Sequence, residues 1–192
     1  MNAIKKVLSY IQAKRYRITY RRGVFIHPTF RSIGQPNIYV NENVVLHSNT
    51  LMDCGTNGTI ICDCGVHINS FTRIEAENKV YLGKDVLIGP NVYISDRNHN
   101  YENINQPIIG QGYYSRGEVR MESGTWIGIH SAIVGNVRIG KNCVIGANTV
   151  ITKDIPDYSV VVGNPARIIK TYNRGTNKWE KNRTGEIDGN SN

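Results

Sequence analysis

The sequence predicts an all-β chain wound as a parallel β-helix, and three observations carry that reading. Five isoleucines stand six residues apart, at Ile127, Ile133, Ile139, Ile145 and Ile151. Such a spacing fits neither a helix face, at about 3.6 residues, nor a simply alternating strand, so it marks an internal repeat. A glycine often follows the aliphatic residue, as in Ile127-Gly128, Ile139-Gly140, Ile145-Gly146, Leu82-Gly83 and Ile88-Gly89, and glycine permits the backbone angles of a tight corner. Small or β-branched residues recur at Ser131, Val137, Cys143 and Thr149, which suits short strands.

The same rhythm appears earlier in two other phases. Leu82, Ile88 and Ile94 form one run, and Ile26, Ser32, Ile38, Val44, Thr50, Thr56, Cys62, Ile68 and Ile74 form a weaker one, in which five residues are aliphatic and four small. Stacked hexapeptides bury the apolar face of each layer against the next, and about 18 residues complete a three-sided coil, so roughly seven coils fit the chain.

The first 23 residues read as a basic arm, with residues 24–170 as the β-helix domain, interrupted by a projecting loop at 95–118, and 171–192 as a mobile tail. Ile4, Val7, Leu8 and Ile11 fall at i, i+3, i+4 and i+7, so residues 3–13 are expected to form a short amphipathic helix that caps the open end of the solenoid. Lys5, Lys6, Lys14, Arg15, Arg17, Arg21, Arg22 and Arg31 supply much of the net charge of +8, and residues 1–41 contain no acid. That charge leaves room for peripheral contact with an anionic membrane face. Nucleic acid is not expected, because no aromatic-studded sheet or recognition helix accompanies it.

No apolar run reaches the roughly 20 residues of a membrane span, and no cleavage site follows Val7 to Ala13, so a cytoplasmic location is expected. Cys54, Cys62, Cys64 and Cys143 lack Cys-x-x-Cys spacing and read as reduced thiols. No two of the five histidines lie close enough in sequence to suggest a metal-binding pair, and no metal is expected.

Chemistry is expected where the repeat breaks, because loops on rigid scaffolds carry function. There His99 sits among polar neighbours, between Asp96 and Tyr101. Further on come Pro107-Ile108, Trp126-Ile127-Gly128, Thr152-Lys153-Asp154-Ile155-Pro156 and Gly163-Asn164-Pro165-Ala166-Arg167. This ordered series resembles the hexapeptide-repeat acyltransferases, and among them the galactoside, maltose, streptogramin and surface-polysaccharide O-acetyltransferases. The resemblance covers about residues 60–170.

It implies a left-handed β-helix, a homotrimer with active sites between subunits, acetyl-CoA as donor and a sugar as acceptor. His99 takes the place of the family's general base. An imidazole that titrates near pH 6.5 suits that task, since a sugar hydroxyl is a poor nucleophile until its proton is removed. Asp96 is the expected orienting partner, with Glu102 or a backbone carbonyl as alternatives. Asn69 and Tyr101 are expected to bind the acceptor. Trp126, Ala147, Thr152, Lys153, Ala166 and Arg167 are expected to hold acetyl-CoA, the two basic side chains through its phosphates. The competing readings are an amino-sugar N-acetyltransferase, a xenobiotic acetyltransferase and a non-catalytic scaffold.

Overall fold

Three parallel sheets form the walls of a left-handed, three-sided solenoid of about seven coils in the computed structural model, which describes residues 3–35 and 37–182. Sheets A and C contain six strands each, and sheet B contains nine. The inward positions stack vertically from coil to coil. On sheet B, Ile26, Leu46, Ile68, Ile88, Ile127, Ile145 and Val161 follow one another in register, and all are fully buried. Sheet C contributes Met52, Ile74, Ile94, Ile133 and Ile151 in the same way. Burying each such aliphatic side chain contributes about 1.5–3 kcal/mol, so the column of contacts supplies the main stabilisation.

The strict hexapeptide phase holds only near the end of the chain. There Ile127 lies directly against Ile145, and Ile133 against Ile151, one three-hexapeptide coil later. Earlier coils are longer: Ile26 pairs with Leu46, and Leu46 with Ile68. The extra residues bulge at corners such as Gly55–Gly58, and Thr56 is therefore exposed rather than inward, as the uninterrupted run would have placed it.

The corners correct a second expectation. Gly83, Gly89, Gly128, Gly140 and Gly146 do not adopt positive φ; a side chain at the first four would strike the backbone of the next coil, as a Cβ on Gly128 would approach the Ala147 nitrogen to 2.7 Å, and one at Gly146 would meet the Val162 side chain. The left-handed residues come slightly later in each corner. Between sheet A, whose inward column is Ile38, Ile60, Val80, Val119 and Val137, and sheet B, the first six alternate between glycine and a short polar residue, in the order Gly23, Asn43, Gly65, Asp85, Gly124 and Asn142, and Tyr158 follows them. Each polar side chain lies over the glycine below, so Gly124 is needed both for its φ of +73° and because a Cβ would sit 2.2 Å from Asn142 Oδ1.

The N-terminal helix, Ala3–Tyr16, covers the first coil as expected, but not with its apolar stripe. Ser9, Gln12 and Ala13 face the solenoid. Ser9 Oγ accepts the Ile26 amide at 3.0 Å, Gln12 Nε2 donates to the Pro28 carbonyl at 2.7 Å, and Tyr16 meets the buried Phe30 edge-on at 5.6 Å. At the other end, part of the expected tail is ordered. Arg167–Asn173 and Lys178–Lys181 extend sheet B as antiparallel strands, and Tyr172 packs against Trp179 at 5.4 Å; residues 183–192 lie outside the described residues. No helix among the described residues is long and apolar enough to cross a membrane.

Candidate active site

The projecting segment leaves sheet C where the strand Tyr93–Ser95 ends, and Asp96 fastens it. Its buried carboxylate accepts three backbone amides from the corner of the preceding coil: Glu77 at 2.6 Å through Oδ1, and Asn78 at 2.9 Å and Lys79 at 2.6 Å through Oδ2. Charge-assisted bonds of this kind fix the exit direction of the loop. They run against the expectation that Asp96 orients His99: its carboxylate is turned toward the corner amides, and among the described residues no hydrogen bond joins it to the His99 ring.

Arg97 provides the second anchor. It reaches Asp53 through both terminal nitrogens, at 3.0 and 3.3 Å, and Glu77 through Nε at 3.2 Å. Burial disfavours its charge, but Asp53 and its neighbouring carboxylates outweigh that and raise the pKa, so the guanidinium stays a fixed cation. Beyond it, Arg97–His99 pairs with Tyr113–Ser115 as an antiparallel hairpin in which His99 stands opposite Tyr113. The Tyr113 ring lies 4.5 Å from the His99 ring and 5.1 Å from the Arg97 guanidinium, so the three side chains stack along one face of the hairpin. The connecting loop is braced internally, with Gln111 Nε2 donating to the carbonyls of Asn103 at 2.9 Å and Gln106 at 2.7 Å.

His99 is exposed, and among the described residues its ring makes no hydrogen bond. It opens into a cavity of about 610 Å³ together with Tyr101, Tyr113, Tyr114 and Arg116, and with Thr152. The cavity also contains Glu75 and Tyr93 from the outer face of sheet C, which sequence inspection missed. Glu75 is almost buried, pairs with Arg73 and accepts the Tyr93 hydroxyl at 2.7 Å. Burial, together with the hydrogen bond to that carboxylate, pushes the Tyr93 pKa up. Nothing in the chain marks these residues, because outward positions of a hexapeptide carry no periodic signal.

The remaining expected site residues do not gather around His99. Thr152 does, at the edge where the strands of sheet C end, with the exposed Lys153 beside it. Ala147 stands at the opposite edge, in the corner before the strand Val150–Ile151, near the antiparallel return that brings Ala166 and Arg167 back along Ser159–Val162. Ala166 is buried, and Arg167 is exposed with Nη1 on the Ala166 carbonyl at 3.0 Å. Trp126 stands half-exposed on the outside of sheet B between Leu87 and Val144. Asn69 occupies a corner and donates its amide to the Ile88 carbonyl at 2.8 Å.

The cysteines match their expected state. All four are free, and burial raises Cys54 and Cys62 to about 12 and Cys143 to about 11, so these thiols remain protonated. Among the described residues no cluster of three potential metal ligands occurs.

Residues 118–153 match the model of the bacterial transferase hexapeptide family, described as six repeats. A putative lipopolysaccharide biosynthesis O-acetyl transferase of Escherichia coli, WbbJ, is 30% identical over 171 residues, spanning 86% of this chain and 87% of the relative. The chain belongs to the hexapeptide-repeat acyltransferases. It is also similar to a galactoside O-acetyltransferase of Lactococcus lactis, 32% identical over 58% of this chain and 56% of that one. Among solved structures, the acyltransferase shares its fold with AntD, an N-acyltransferase from Bacillus cereus in complex with dTDP and 3-hydroxybutyryl-CoA, at a TM-score of 0.73 and 21% identity over 88% of this chain and 90% of that chain. PerB from Caulobacter crescentus, in complex with CoA and GDP-perosamine, gives a TM-score of 0.57 at 18% identity over 85% of this chain and 65% of that chain.

Proposed function

We propose that this acyltransferase moves an acetyl group from acetyl-CoA to a sugar hydroxyl in the assembly of a surface polysaccharide, with His99 as general base. The observation that carries the reading is the cavity in which an exposed imidazole, free of hydrogen bonds among the described residues, stands with four tyrosines, Tyr93, Tyr101, Tyr113 and Tyr114. Aromatic faces and a few fixed polar groups suit a saccharide, and the WbbJ and galactoside O-acetyltransferase relatives support the choice of an oxygen acceptor.

In this reading the neutral His99 ring takes the proton of the acceptor hydroxyl as its oxygen attacks the thioester carbonyl. The tetrahedral oxyanion is met by a backbone N–H. As the C–S bond breaks, the imidazolium returns the proton to the departing thiolate, leaving acetylated sugar and free CoA. Transfer is direct, and no side chain is acylated. Tyr113, packed on Arg97, limits the rotation of the His99 ring and replaces Asp96 as its positioning partner. Lys153 and Arg167 neutralise the phosphates of the donor, with Thr152, Ala147, Ala166 and Trp126 along its course, while Tyr101 and Asn69 contact the acceptor.

The reading includes a homotrimer. Within one chain His99 stands beyond one edge of sheet C, while Ala147 stands at the other edge and Arg167 begins the antiparallel return on sheet B, so the loop of one copy set against the corner of the next would complete the site. Light scattering showing a fully active monomer would rule this out.

N-acylation of an amino sugar is the second reading, favoured by the shared fold with AntD and PerB. Calorimetric titration with acetyl-CoA, followed by a panel of hydroxyl and amino sugars, tests both. Saturable donor binding that weakens in Lys153→Ala and Arg167→Ala, with transfer to hydroxyl acceptors, is expected. Transfer to amines alone would select the second reading, and no donor binding would overturn both.

A further inference from the structure

The N-terminal helix is mounted with its apolar side outward. Ile4 is 70% exposed, Val7 57% and Ile11 51%, whereas the face against the solenoid consists of Ser9, Gln12 and Ala13. At about 100° per residue, Ile4, Val7 and Ile11 fall within roughly 60° of one another on the side opposite that buried face, with Lys14 and Arg15 flanking the stripe. A helix serving only as a cap would turn these aliphatic residues inward, where their burial stabilises the fold. Here polar hydrogen bonds from Ser9 and Gln12 hold the helix in place and leave the aliphatic stripe free.

The charge distribution identifies what the stripe meets. Of the 23 basic residues, eight lie in the first 41 positions; the 15 that remain match the 15 acidic residues, all of which lie beyond position 41, so the whole net charge of +8 belongs to this end. Arg15 and Arg31 line one cleft between the helix and the first coil, which continues the positive surface from the helix onto the solenoid. A short apolar ridge bordered by lysine and arginine is the pattern of a helix lying in the plane of an anionic lipid interface, where burial of the ridge and attraction of the basic residues add.

We infer that the exposed face of the N-terminal helix seats the protein on an anionic bilayer surface. The reading is independent of the acceptor, and its test does not use acyl transfer. The full chain would be sedimented with vesicles of phosphatidylglycerol and phosphatidylcholine, and with vesicles of phosphatidylcholine alone. The expected result is capture by the anionic vesicles only, weakened by salt and reduced at least tenfold in the variant I4S/V7S/I11S, whose circular dichroism and donor affinity stay unchanged because these side chains touch neither core nor site. Equal capture of the variant, or no capture of the parent protein, overturns the inference. So does a change of oligomeric size in the variant without vesicle binding by the parent, which would assign the stripe to a contact between copies.

Discussion

His99 and Tyr113 face each other across a two-stranded hairpin with their rings 4.5 Å apart, and the far side of the arrangement is held by Arg97 in its ion pairs with Asp53 and Glu77. The ring of Tyr113, rather than a carboxylate, is therefore the contact of the candidate base, and the proposed function makes it the positioning partner. Removing the ring frees the imidazole, and misplacement of a reacting group is costly in rate. Tyr113→Ala should lower kcat by about tenfold or more, whereas Tyr113→Phe should stay within about twofold, since it keeps the stacked face. Steady-state kinetics with unchanged KM for acetyl-CoA would support positioning; a larger loss in the Phe variant than in the Ala variant would assign the role to the hydroxyl.

Asp96 should behave as a structural anchor. Its buried carboxylate accepts three partly buried backbone amides, and a hydrogen bond to a charged group contributes about 1.5–3 kcal/mol net. Asp96→Asn is expected to lower stability by about 3 kcal/mol in denaturant unfolding, with the pH dependence of residual turnover left as in the parent. A shifted pH profile at normal stability would restore Asp96 as the orienting group.

Acid sensitivity should trace in part to His47. Burial, followed by the nearby His67, His27 and Lys5, lowers its pKa below the ordinary 6.5. Above that value the ring is neutral in folded and unfolded chains alike and contributes nothing to the pH dependence. Below it the unfolded chain takes up the proton more readily, so stability falls as the pH drops toward the lower folded pKa. His47→Gln should therefore show a smaller fall in Tm between about pH 7 and pH 5.5 than the parent. An identical fall in the variant would remove His47 from the acid response.

Phe71 occupies a costly position. In the corner between sheets B and C the left-handed residues are Asn49, Phe71, Asn91, His130 and Asn148, and Phe71 adopts a φ of +62° while 58% exposed. A left-handed conformation costs an ordinary L-residue about 1–2 kcal/mol, and asparagine tolerates it better. Phe71→Asn should raise stability by about 1 kcal/mol, read from chemical denaturation. Destabilisation would show that the ring is buried in the assembled protein.

The fold was legible in the isoleucines from Ile127 onward because coils of three unbroken hexapeptides bring every sixth residue inward. It was less legible before Ile74, since corners of variable length shift the phase and leave Thr56 in solvent. The helix was visible in the spacing of Ile4, Val7 and Ile11, but the direction it faces depends on Ser9 and Gln12 finding backbone partners many residues away. At the site, His99 and Thr152 line one cavity within a single chain, whereas the resemblance implied that the histidine loop meets the donor wall of a neighbouring copy. The partner of His99 was hidden because Tyr113 is joined to it only by hairpin register, and Asp96 seemed the better candidate only for being close in sequence. Glu75 and Tyr93 were invisible for the same reason, being neighbours across coils.

The most direct measurement is CoA release from acetyl-CoA in the presence of a sugar acceptor, compared between the parent protein and His99→Ala, with donor affinity of both determined by calorimetry. General-base catalysis contributes about 10²–10⁴-fold, so turnover in His99→Ala should fall by that factor while acetyl-CoA binds as before. Undiminished turnover in a folded His99→Ala protein would contradict the assignment of His99 as the base.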